Sequence, residues 1–202
     1  MPTISNPAST AVLFIECQNG LLGPDSVLPA IRDAALPSVP AMSRLAAGAR
    51  AAGVTVAHLT AVPVRGSDSF NRRTPLFRGF MDHIAHWGPD HPAVQPIDEI
   101  GLGPDDLVLP RATGISPTYG NETFKLLRNI GIDTVVFAGI SVNIAITVSA
   151  AQAADEDFRV VVARDAAAGA PEEYAAAMLQ HTLAMIARLH TVDELLSDWG
   201  AS

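Results

Sequence analysis

Short, β-rich and largely apolar runs alternate along this chain with longer segments in which apolar residues return every three or four positions. The runs predict strands over about residues 11–16, 54–60, 106–109, 134–139, 159–163 and 188–190. The intervening periodicity predicts helices over about 38–52, 120–130, 142–155, 171–186 and 192–199. Strands that are apolar throughout, and not at every second residue, belong to sheets covered on both faces. The expected fold class is therefore α/β: a three-layer, doubly wound, mostly parallel six-stranded sheet with helices on both faces. Helix ends agree with this spacing. Pro171-Glu172-Glu173 puts a proline and two acids in a first turn, and Thr191 and Glu194 are spaced as a capping box.

One stretch breaks the alternation. Residues 61–105 hold Pro63, Pro75, Pro89, Pro92, Pro96 and Pro104 together with three of the six histidines, and form a candidate lid or subunit-contact excursion. Its Phe70, Phe77, Phe80 and Trp87 would either wall an apolar pocket or pack into the core.

Composition narrows the function classes. A chain of 202 residues, 49% of them hydrophobic, can bury a substantial core and is read as one domain, 1–202. No run approaches the roughly 18 apolar residues of a membrane span. Met1 to Ser9 lacks the basic and apolar regions of a signal peptide, so the cytoplasm is the expected location and no membrane partner is expected. A net charge of -8 with 13 Lys and Arg argues against a nucleic-acid surface and for a small-molecule partner. The lone cysteine, Cys17, excludes an internal disulfide.

The chemistry concentrates at strand ends. After the strand Thr134 to Ala138, the turn Gly139-Ile140-Ser141-Val142-Asn143-Ile144-Ala145-Ile146 enters an alanine-rich helix. Such a turn offers unpaired backbone N–H groups to a substrate oxygen, here around Asn143 to Ala145, but carries no nucleophilic side chain at its centre. An apolar strand also runs into Glu16-Cys17-Gln18-Asn19-Gly20, and Leu107-Val108-Leu109-Pro110 runs into Arg111, upstream of Ser116-Pro117-Thr118-Tyr119-Gly120-Asn121.

These three segments, with Leu126 to Ile132 and Val161 to Ala166, resemble the isochorismatase-like cysteine hydrolases over about residues 9–190. The resemblance implies that family's α/β fold, hydrolase activity, assembly as a homodimer or homotetramer, and a cis peptide near Ile140-Ser141. It places Glu16 at the acid/base Asp, Arg111 at the Lys and Ala145 at the nucleophilic Cys, so every member of the triad is changed. It also makes Gln18, Tyr119, Ser141, Asn143 and Ile144 candidate substrate-binding residues.

Each residue type limits what the site can do. A strand-end carboxylate such as Glu16 faces the ligand crevice, where burial would raise its pKa and a neighbouring Arg111 would lower it. The alternative role for Glu16 is a structural ion pair with Arg111. Arg111 cannot shuttle protons, but binds carboxylates and stabilises developing negative charge; its alternative is a surface position. Ala145 removes nucleophilic attack, and neither Thr147 nor Ser149 replaces its direction on the helix. Cys17 should point opposite to Glu16 as a packing residue. His83, His86 and His91 with Asp82 and Asp90 make a weak metal pattern, so no metal and no cofactor are expected.

Two main functions follow. In one, the protein is a hydrolase working by acid/base and electrostatic catalysis without a covalent cysteine intermediate, as the resemblance implies for vinyl-ether cleavage by true isochorismatases. In the other it binds small molecules without turnover. An amidase using Cys17 is a third reading.

Overall fold

The computed structural model describes residues 4–65, 68–70 and 72–201, with Phe80 described in its backbone alone. The elements, in chain order, are β1 (Thr10–Ile15), α1 (Asn19–Leu22), α2 (Pro29–Ala35), α3 (Val39–Ala51), β2 (Thr55–Ala61), α4 (Pro75–Ile84), β3 (Leu107–Arg111) and α5 (Thr123–Asn129). Then come β4 (Thr134–Ile140), a π-helical turn Val142–Ile146 leading into α6 (Thr147–Asp155), β5 (Arg159–Ala168) and α7 (Glu172–Ala177). A second π-helical stretch, Met178–Leu183, leads into α8 (Ala184–Ile186), followed by β6 (Arg188–His190) and α9 (Val192–Trp199).

The six strands form one sheet in the order β3-β2-β1-β4-β5-β6, every neighbouring pair parallel. Chain direction across the sheet reverses between β1 and β4, and ligands of open α/β sheets bind outside the strand ends at such a point. Strand residues alternate between two apolar layers. Val12, Phe14, Val136 and Ala138 pack under α1 to α4 and α9, while Ala11, Leu13, Val135 and Phe137 pack under α5, α6 and α7.

The central strands lie within a residue or two of their expected positions. β5 runs five residues past its expected end, because its pairing with β4 is irregular between Phe137 and Gly139 and resumes at Ala167 and Ala168. The bulged residues include Arg164 and Asp165, both exposed, and Asp165 accepts a hydrogen bond from the Val192 N–H, which fixes the start of α9. The Thr191 and Glu194 capping box is present, each side chain accepting from the other residue's N–H. The helices expected over 142–155 and 171–186 are each interrupted by a π-helical stretch. The excursion contains α4, started by Thr74 as N-cap and Pro75 at its first position.

Below the sheet's opposite end, Asp106 fixes the start of β3. Burial alone would raise its pKa, but hydrogen bonds from Arg50, the Gly103 N–H and His58 hold it at about 2. This anchor ties β3 to β2 and α3, and so sets where the far end of β3 places Arg111. No helix among the described residues is long and apolar enough to cross a membrane.

Candidate active site

Glu16 follows the last residue of β1. Its N–H still bonds to the Leu59 carbonyl at 2.8 Å, yet its φ of 55° lies in the left-handed region. Residues other than glycine rarely adopt that conformation, which costs on the order of 1 kcal/mol. The turn aims the carboxyl into a cavity at the carboxyl ends of β1, β2, β3 and β4. Arg111 ends β3, with its carbonyl accepting from the Val62 N–H at 2.9 Å. Its Nη2 donates to Glu16 Oε1 across the end of β2, where Ala61 leaves room for the pair. The Phe70 ring lies over the guanidinium, 5.7 Å from its centroid.

Glu16 and Arg111 are mostly withdrawn from water, at 14% and 8% side-chain exposure. Burial pushes the Glu16 carboxyl above the ordinary carboxylate range, and the Arg111 charge and hydrogen bond pull it back without cancelling the rise. Of the two opposing influences weighed from the sequence, desolvation is the larger.

The third strand end is the elbow. Gly139 has a φ of 100°, and a Cβ there would stand 2.3 Å from the Ile15 carbonyl oxygen. Only glycine lets β4 pass so close to β1 at this height. The Ile140-Ser141 peptide is cis. Ser141, Ile144 and Ala145 then line the cavity facing Glu16. The Ser141 carbonyl accepts from the N–H groups of Ile144 at 3.3 Å and Ile146 at 3.0 Å. The Asn143 N–H, in the first turn of the π-helical stretch Val142–Ile146, makes no backbone hydrogen bond to a residue outside it among the described residues.

The cavity measures about 660 Å³ with its open mouth included. Its walls are apolar: Leu21, Leu28 and Ile31 from α1 and α2, then Phe70, Leu76, Phe77, Met81, Ile84 and Trp87 from the excursion, and Ile115 and Ile140. Three of the four expected pocket aromatics are therefore on the wall, while the side chain of Phe80 lies outside the described residues. The contribution of α1 and α2 was not anticipated, although Leu28 and Ile31, three residues apart, carried a helical signal.

The remaining candidates occupy other places. Gln18 is fully buried, its Nε2 donating to the Ala61 and Ala93 carbonyls and its Oε1 accepting from the Ala61 N–H at 2.7 Å. This amide stitches the turn after β1 to the end of β2 and to the excursion. A Gln18→Ala substitution is expected to lower stability by about 2–3 kcal/mol, because three buried backbone groups lose their partner; an unchanged urea midpoint would contradict that role. Asn143 bonds through Nδ2 to the Ala170 carbonyl at 2.9 Å and packs on Gly169, where a Cβ would meet its Oδ1 at 1.9 Å. Tyr119 is 81% exposed and is not among the cavity-lining residues. Cys17 points away from the cavity, its Sγ 3.5 Å from the Ile15 carbonyl and 4.0 Å from Met42 Sδ. Burial and then the charge of Glu16 push its thiol well above the ordinary range, away from thiolate reactivity. Ser149 is fully buried in α6 and is not on the cavity wall. His86 and His91 pack edge to face and His91 stacks on Trp87, and no group of three or more potential metal ligands gathers among the described residues.

Comparison with known proteins agrees with this geometry. The family profile described as the isochorismatase domain matches residues 10–194. An uncharacterized isochorismatase family protein, YecD of Escherichia coli O157:H7, is 38% identical over 79 residues, which is 39% of this chain and 42% of that protein. The fold is shared with a cysteine hydrolase from Pseudomonas syringae pv. phaseolicola, at a TM-score of 0.85 and 21% identity over 98% of this chain and 96% of that one. An isochorismatase family protein from Desulfovibrio vulgaris gives a TM-score of 0.82 at 23% identity, over 96% of this chain and all of that one (100%). From β1 into α9 the match is continuous, and it takes in all three strand ends that build the cavity: this chain belongs to the isochorismatase family.

Proposed function

We propose that the protein is a hydrolase acting on a small organic substrate by acid/base and electrostatic catalysis, without a covalent cysteine intermediate. The observation that carries this reading is the mostly buried Glu16–Arg111 pair on the wall of an apolar cavity that Ala145 also lines. Glu16 is the proton donor or the group that activates water, since burial raises its pKa toward working pH. Arg111, charged throughout, binds a substrate oxygen and steadies negative charge. The elbow N–H of Asn143 offers a second oxygen site. Cys17 is an unsuitable nucleophile, because its sulfur faces the core and its thiol is held protonated. The reading includes one catalytic domain, a cytoplasmic setting and assembly as a homodimer or homotetramer.

A second reading is favoured by Ala145 and Arg111 together, which remove the family's nucleophile and its proton-relaying Lys position: a binding protein without turnover. A panel of vinyl ethers, esters and amides separates the two. In the hydrolase, Glu16→Gln is expected to reduce kcat at least 100-fold on the responsive substrate, in line with general acid–base catalysis, and Cys17→Ala to leave kcat unchanged. Equal turnover by wild type and Glu16→Gln would remove Glu16 from the mechanism, and loss of turnover in Cys17→Ala would restore the cysteine amidase.

A further inference from the structure

We infer that the cavity binds a small monocarboxylate with an apolar, single-ring body, held by Arg111, and that each binding event places one proton on Glu16. The inference rests on the reading of Glu16 and Arg111 as the working pair of the site. Its first support is a set of unused donors. Arg111 gives Nη2 to Glu16, while its Nη1 and Nε are buried and have no hydrogen-bond partner among the described residues. Buried guanidinium N–H groups are rarely left so, and these belong to a residue on the cavity wall. The acceptor they lack is one that a ligand would bring.

The shape of that ligand follows from the rest of the wall. Apart from Glu16, Arg111 and Ser141, every lining side chain among the described residues is apolar, and the rings of Phe70, Phe77 and Trp87 are among them. A ligand that satisfied Arg111 and left no buried polar group of its own unpaired would be polar at one end only. A carboxylate is the group best matched to a guanidinium.

Charge then fixes the proton. With Glu16 ionised, the pair is neutral, and an incoming carboxylate would meet a like charge in a dry cavity, where two carboxylates do not both stay ionised. With a proton on Glu16 the site carries one positive charge, and the ligand supplies the counter-charge. Among the described residues on the cavity wall, no other group is placed to take that proton. The titratable neighbours of Glu16 are Arg111 from β3 and Cys17 beside it, whereas the excursion, the elbow, α1 and α2 contribute apolar side chains and Ser141. The raised pKa of Glu16 is consistent with a carboxyl that accepts a proton readily.

The test uses benzoate and its neutral isostere benzamide on the whole protein. Calorimetric titration at pH 7 in two buffers of different ionisation enthalpy counts protons. Repeated from pH 7 to pH 9, the uptake per benzoate should climb towards one proton as the free Glu16 carboxyl ionises, with none per benzamide at any pH. On the alkaline side of the Glu16 pKa the benzoate Kd should rise about tenfold per pH unit, while benzoate itself, like other carboxylates of pKa near 4, stays ionised. Glu16→Gln should bind benzoate without proton uptake and with a flat pH profile, and Arg111→Gln should weaken benzoate by roughly 10- to 100-fold. Benzoate binding to the wild type without proton uptake at any pH in this range would overturn the inference, as would binding of benzamide but not benzoate; neither measurement needs a variant to fold. Because binding is read at equilibrium, proton-coupled benzoate binding with no hydrolysis of any panel substrate would keep this inference and sink the hydrolase reading. Hydrolysis without coupled uptake would do the reverse.

Discussion

Gly139→Ala is expected to lower stability by more than about 4 kcal/mol, or to prevent folding. A Cβ at this position would lie 2.3 Å from the Ile15 carbonyl oxygen, 2.6 Å from Cys17 Sγ and 2.9 Å from the Ile15 nitrogen. Two of those atoms are backbone of the central strand, so relief requires β1 and β4 to separate where Ile15 pairs with Gly139. The φ of 100° adds a conformational penalty of about 1–2 kcal/mol for any L side chain. Gly53 separates the two contributions: its φ is 71° and a Cβ there would meet nothing within 4 Å. Gly53→Ala should therefore lose only the conformational part, about 1 kcal/mol. Urea unfolding of the two variants measures the difference, and equal midpoints would show that the close approach of β4 to β1 is unimportant.

The second large effect is expected at Arg111→Ala, and its size should depend on pH. Removing the guanidinium leaves Glu16 buried without its counter-charge, which is costly while the carboxyl stays ionised. The protein can instead protonate Glu16. For a carboxyl of ordinary pKa 4.5, that limits the loss at pH 7 to about 3 kcal/mol. The folded-state pKa of Glu16 is already raised, and without Arg111 it rises further. A raised carboxyl pKa means that the folded state holds its proton more tightly than the unfolded chain. Stability is then fullest below about pH 4.5 and falls as pH climbs from there through the folded pKa. Arg111→Ala should therefore approach wild type near pH 5 and fall progressively behind it as pH rises towards 8, by less than that limit at pH 7. Glu16→Gln/Arg111→Ala should remove the pH dependence, and a constant deficit from pH 5 to pH 8 in the single variant would mean that Glu16 is not the source.

The central strands and their parallel arrangement were legible because they are largely apolar runs bounded by Gly, Pro or charged residues, as in Val135 to Ala138 before Gly139. The meeting of Glu16 with Arg111 was anticipated from motif position. The left-handed backbone that aims Glu16 was not, since nothing local marks a glutamate for that conformation. The end of β5 was hidden by Arg164 and Asp165, which read as a strand boundary and instead form a bulge whose carboxylate caps the next helix. Gln18 entered the candidate list through the resemblance carried by Glu16-Cys17-Gln18-Asn19-Gly20. Its amide is consumed by Ala61 and Ala93, partners 43 and 75 residues away that no local pattern reveals. The start of α4 was visible in Thr74-Pro75, but the direction in which it turns Phe77, Met81 and Ile84 is set by long-range packing.

Much of the cavity wall comes from a different part of the chain than its reacting groups. Glu16, Arg111 and the elbow are fixed by strand ends inside the sheet, whereas Phe70, Phe77, Met81, Ile84 and Trp87 belong to the excursion, whose described residues after Ala61 add no strand to that sheet. Descendants of such a gene can exchange residues on α4 and reshape the accepted molecule while the sheet, and with it the proton-handling pair, stays intact. Selection for a new substrate and selection for a new reaction thus act on separate stretches of sequence, and neither has to wait for the other.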